Sequence, residues 1–146
     1  MSDLQPEGFQ IEFDGVQRCL IWDYGVIEKV QEKYGGHPFS VVRSIFRESN
    51  VDGTVIGYYQ AGPIIDLMFF LLNNEVARQK YFDGKSDLRL YSREQVGFLI
   101  NRKNAGDIAN AIVASWTGSN PQADPDDEDD EEDEEGDSKN VQSGKR

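Results

Sequence analysis

Ten residues in the middle of the chain, "PIIDLMFFLL" from Pro63 to Leu72, carry one charge, Asp66. At helical spacing Ile64, Ile65, Met68, Phe69 and Leu72 make one apolar stripe. Leu67, Phe70 and Leu71 cover much of what remains. A helix that is apolar all round belongs at the centre of a fold or against a partner. Leaving its second stripe in water forgoes about 5–9 kcal/mol, at roughly 1.5–3 kcal/mol per large side chain. That rivals the whole stability of a small domain. Three fates are open to this segment: burial by the rest of the chain, burial in a self-association surface that makes a homo-oligomer, or burial by a client protein.

The remainder has to supply that cover. With 146 residues the chain suffices for one domain with a core. Its charge of −12 is unevenly placed, since 12 of the 27 acids lie between Asp124 and Asp137. Residues 1–123 hold 15 acids against 12 bases, a net of −3. We therefore expect an ordinary domain over residues 1–120 and a disordered, acidic C-terminal tail over 121–146, where apolar residues almost vanish. The acidic run has three readings: a self-repelling bristle that keeps the domain soluble, an electrostatic contact for a basic partner, or a mimic of DNA.

Local signals give the fold class: mainly α with an N-terminal β-hairpin, a small α+β domain. "FQIEFDGVQRCLIW" alternates around Asp14-Gly15, a pair suited to a type I′ turn. That turn sets Phe13 opposite Val16, Ile11 opposite Arg18 and Phe9 opposite Leu20. Phe9, Ile11, Phe13, Val16, Leu20 and Trp22 then share one face, interrupted by Arg18, and that face needs helices beneath it.

Asp23 caps a helix through Val26, Ile27, Val30 and Tyr34, which Gly35-Gly36 ends. Pro38 opens a second, "PFSVVRSIFRE", with Phe39, Val42, Ile45 and Phe46 inward. Asp52-Gly53 closes either a second hairpin or a loop. Ser92 and Gln95 form a capping box ahead of Val96, Leu99 and Ile100. The last helix places Ile108, Ile112 and Trp116 at four-residue intervals.

Catalytic and ligand chemistry is hard to find. His37 and Cys19 are the sole histidine and cysteine, so the usual N/S set for zinc cannot be assembled within one chain. An internal disulfide is equally excluded. No P-loop, dinucleotide fingerprint or nucleophile elbow is present, and no cofactor is expected. The scattered bases give no stripe for nucleic acid. "LMFFLL" is too short to span a membrane, and "MSDLQPEGF" does not read as a signal peptide.

Two stretches carry a resemblance. "WDYGVIEKVQEKYGG", with an aromatic–Asp–aromatic junction between strand and helix, is similar to the opening of tail assembly chaperones of long-tailed bacteriophages, the lambda G-like type. "SREQVGFLINRKNAGDIANAIVASW" resembles that family's capped helix and final helix. The likeness runs from Phe9 to Trp116, and Val51–Gly62 departs from it. It implies a non-enzymatic chaperone that binds and solubilises the tape measure protein during tail morphogenesis. Such a protein works in the host cytoplasm and is absent from the mature virion. It further implies that this is the short, unshifted product, a longer ribosomally frameshifted form recruiting the tail tube protein. On that reading Met68, Phe69, Leu72, Phe82 and Tyr91 are the candidates for client contact. The alternative function is an acidic inhibitor or DNA mimic acting on a host nucleic-acid-binding protein.

Overall fold

Asp14 and Gly15 both take positive φ, and the strands they join, β1 (Phe9–Phe13) and β2 (Val16–Leu20), pair in the expected register. The computed structural model describes residues 8–119. The tail expected over 121–146 lies outside the described residues. β1 rests on the last helix and β2 on the central one. Phe13, Leu20 and Trp22 are buried and Ile11 half-buried, while Phe9 and Val16 of the same face stand out into solvent.

Asp23 accepts a hydrogen bond from the Val26 amide and starts α1 (Tyr24–Tyr34), whose Val26 and Val30 are buried. Gly35, at φ 72°, ends it, in the conformation where glycine is least penalised. α2 (Pro38–Arg43) begins with Pro38 in its first turn, and the His37 imidazole accepts the Phe39 amide through Nδ1.

Here two expectations are corrected. The second helix stops at Arg43 and Phe46 opens a strand instead of facing inward, and Phe39, also expected inward, is 39% exposed with its ring stacked on Trp116. β3 (Phe46–Val51) and β4 (Thr54–Tyr59) form a second antiparallel hairpin around Asp52-Gly53, both at positive φ. Non-local bonds settle the choice. The Gln60 amide donates to the Ile45 carbonyl at 2.6 Å, and its side chain donates to the Ser44 carbonyl at 3.0 Å. The two hairpins belong to separate two-stranded sheets.

α3 (Ala61–Phe82) follows and is the hub, touching α1, α2, α4, α5 and β2. Ile64, Leu67, Met68, Leu71, Leu72 and Val76 are all buried on it. The greasy segment therefore meets the first of its three fates along its inner face. α4 (Arg93–Leu99) carries the capping box, the Ser92 hydroxyl accepting the Gln95 amide at 3.0 Å. α5 (Ala105–Ser119) buries Ile108, Ile112 and Trp116 as spaced. Trp22 packs edge-on to Trp116, and its indole N–H donates to the buried Ser115 hydroxyl at 2.9 Å.

Two acids of α3 lie in the interior. Asp66 accepts from the Tyr34 hydroxyl and from Arg93, with the Lys33 ammonium 3.5 Å away. Burial alone pushes its carboxyl up, but those donors and charges hold it below the usual aspartate range. Glu75 meets Arg18 at 3.6 Å and accepts the Cys19 amide at 3.0 Å. For Glu75 burial prevails, and its pKa is raised. Arg18, the interruption on the hairpin face, is thus accommodated by an acid from the helix beneath. It also donates to the Tyr91 hydroxyl at 2.8 Å.

Candidate functional site: a pinned groove on the central helix

What α3 does not bury is as informative as what it does. Phe69, Phe70, Asn73, Asn74 and Ala77 form its outer stripe and floor a groove of about 390 Å³. Gly25, Val26 and Lys29 of α1 make one wall, and Leu90 makes the other.

Two adjacent asparagines hold those walls. The Asn74 amide donates to Asp23 at 3.0 Å, and Arg78 bonds the same carboxylate oxygen at 2.9 Å. The N-cap of α1 is thereby tied to α3. A Cβ on Gly25 would fall 3.2 Å from Asn74 Oδ1, so glycine lets this wall come close. On the other side Asn73 clamps the backbone of Tyr91, accepting from its N–H at 2.7 Å and donating to its carbonyl at 2.9 Å. That holds the neighbouring Leu90 in place without burying it. Past the groove, four residues beyond Ala77, Tyr81 is 82% exposed and stands edge-on to Phe82.

A floor of two phenylalanines between pre-positioned walls suits the apolar face of a partner helix. A larger hollow of about 650 Å³ between β1–β2 and α5 is less suited, because Glu12, Asp14 and Asp107 line it.

Of the five residues expected to contact a client, Met68 and Leu72 are fully enclosed, and Tyr91 is only 8% exposed. These three are closed to a partner in this conformation, which corrects the expectation for them. They face the other elements of the fold, and helical periodicity does not distinguish an inner stripe from an outer one. Phe69 lines the groove, half-buried. Phe82 is 58% exposed, with the Arg78 guanidinium 5.3 Å from its ring. Phe70, Leu90 and Tyr81 join them, with Asn73 and Asn74 as positioning residues. Only the unusual Asn-Asn pair inside an apolar helix hinted at this from sequence.

Family models, curated proteins and solved structures were all searched without a match.

Burial and the Glu75 carboxylate both push the Cys19 thiol up, away from the reactive thiolate. Among the described residues no three of His, Cys, Asp and Glu are grouped to hold a metal ion, and no helix is long and apolar enough to cross a membrane.

Proposed function

We propose that this chain is a non-enzymatic tail assembly chaperone of a long-tailed bacteriophage, binding the tape measure protein in the host cytoplasm before the tail tube forms. The observation that supports the reading is the α3 groove, with Phe69 and Phe70 as its floor and Leu90 and α1 as pinned walls. An amphipathic helix of the client would lay its apolar face there and extend over Tyr81 and Phe82.

One such contact is small, and small is useful. A tape measure protein repeats apolar helical surface over a great length, so many weakly held copies make an effective coat through multiple attachment. Each copy must also leave when tube subunits arrive. A longer frameshifted product of the same frame would bring the tube protein, while the domain that covers the client does not enter the mature virion.

Co-expression with a tape measure protein tests the proposal. The full chain should raise the soluble fraction of the client and co-purify with it. Leu90→Asp, at an exposed wall position, should weaken capture about tenfold, which corresponds to about 1.4 kcal/mol, while leaving the fold intact. A client equally insoluble with and without the chain would refute it.

A further inference from the structure

The β3–β4 hairpin stands apart from the core. No residue of β4 is buried, and its base at Tyr59 is what meets α5. Phe46, Tyr58 and Tyr59 are each 40–49% exposed, and Val55 is 64% exposed. A lone two-stranded hairpin is marginal in water and gains stability from further strands. The first hairpin is committed elsewhere, so among the described residues this one has no third strand.

Its two edges differ. The Gln60–Ile45 bond and the register make Arg47·Tyr58, Ser49·Ile56 and Val51·Thr54 the hydrogen-bonded pairs. The backbone groups of Val55, Gly57 and Tyr59 therefore point outward from β4, and those of Phe46, Glu48 and Asn50 point outward from β3. Edge strands are ordinarily guarded by charge, proline or a bulge. β3 has Arg47 and Glu48, whereas β4, "TVIGYY", has no carboxylate, ammonium, guanidinium or proline. A groove of about 500 Å³ borders that unguarded edge, lined by Tyr58 and Tyr59 together with Ile64, Ile65, Gly97, Ile100 and Arg102. Consecutive strand residues point to opposite faces, so a hollow lined by both Tyr58 and Tyr59, and by no residue of β3, runs along the edge.

We propose that β4 pairs antiparallel with β4 of a second copy, joining two hairpins into one four-stranded sheet across a two-fold axis. Centred on Gly57, the pairing sets Val55 opposite Tyr59 of the second copy and Ile56 opposite Tyr58, the β-branched and aromatic combinations that stabilise antiparallel neighbours. All three outward-facing residues of β4 are then bonded. The same operation on β3 would oppose Glu48 to Glu48, a like-charge contact that disfavours the other edge.

Charge favours this occupant too: the turn carries Asp52, and antiparallel pairing brings the second copy's turn past Tyr59 to the groove lip, where Arg102 has no ion pair among the described residues. The three rings alone hold roughly 200–330 Å², at 150–250 Å² for a whole aromatic side chain, against the ~800 Å² per partner of a standard interface. Val51, Val55 and Ile56 add to it.

The dimer does not depend on the chaperone reading. Sedimentation velocity of the full chain over a concentration series should move from the 16.5 kDa chain mass to twice that value. Val55→Pro removes an outward N–H while sparing the bonds to β3, and should remain at the chain mass with an unchanged circular dichroism spectrum. Register is tested in a Cys19→Ser background by mixing Ile56→Cys with Tyr58→Cys. A disulfide-linked heterodimer should form from the mixture far faster than homodimers form from either variant alone. A wild-type chain that stays monomeric, a dimer indifferent to Val55→Pro, or no preference for the mixed disulfide would each overturn the proposal.

Discussion

α3 and the β3–β4 hairpin are both rich in apolar side chains, yet they end in opposite places. α3 is surrounded by four helices and a strand, and its inner residues are sealed. The hairpin carries Phe46, Val51, Val55, Ile56, Tyr58 and Tyr59 into solvent. The greasier segment is thus not the more exposed one. What decides is how many neighbours the topology supplies: α3 lies mid-fold, whereas the hairpin is tied down at Gln60, Ile45 and the base of β4.

The largest effects should come from the sealed side. Leu71→Ala should cost about 2–5 kcal/mol in chemical denaturation, the usual range for a truncated core leucine. A cost near zero would mean that α3 is not the hub.

Next comes Asp66. Asp66→Asn keeps the shape but removes the charge that Arg93 and Lys33 answer, and should cost about 2 kcal/mol at neutral pH. Both cations are half-exposed, which keeps the figure below that for a wholly buried pair. The sign with pH is fixed by the direction of the shift. Folding lowers the Asp66 pKa from 3.8, so its contribution is full above that value and is lost as pH falls through the folded pKa. The gap between wild type and variant should close in acid. Glu75 runs the other way. Folding raises its pKa from 4.5, so its contribution is present below that value and is lost as pH rises through the folded pKa. At neutral pH Glu75→Gln should therefore cost less than Asp66→Asn.

Asn73→Ala probes the groove wall. Losing both bonds to Tyr91 should cost about 1–3 kcal/mol and speed hydrogen exchange at the Tyr91 amide. Unchanged exchange there would show that the clamp does not hold the wall. Smallest of all, Ile56→Thr on the hairpin should shift the stability of the monomer by no more than about 0.5 kcal/mol.

Much of the fold was legible because its signals are local. Asp14-Gly15 set the first hairpin and its register, while Asp23, Gly35 and the Ser92–Gln95 box marked helix ends. The failure at Phe46 has a physical reason. The spacing of Phe39, Val42, Ile45 and Phe46 suits a helix, and it is Gln60, fifteen residues past Ile45, that draws the chain into a strand. The groove was less legible still. Periodicity proposes stripes on α3, but which stripe faces outward depends on where α1, α4 and the Leu90 segment settle. Asn73 and Asn74 act through partners 18 and 51 residues away. Val51–Gly62, the stretch whose structure the sequence leaves open, is largely β4 with its turn and the start of α3.

Hydroxyl-radical footprinting of the full chain tests the division between sealed and open apolar surface most directly, because methionine is among the most readily oxidised side chains. Met68 should stay unmodified until the chain is denatured, while Tyr81 and Phe98, which is 78% exposed, react in the native state. Met68 oxidised at its unfolded rate, with Tyr81 and Phe98 spared, would contradict the account.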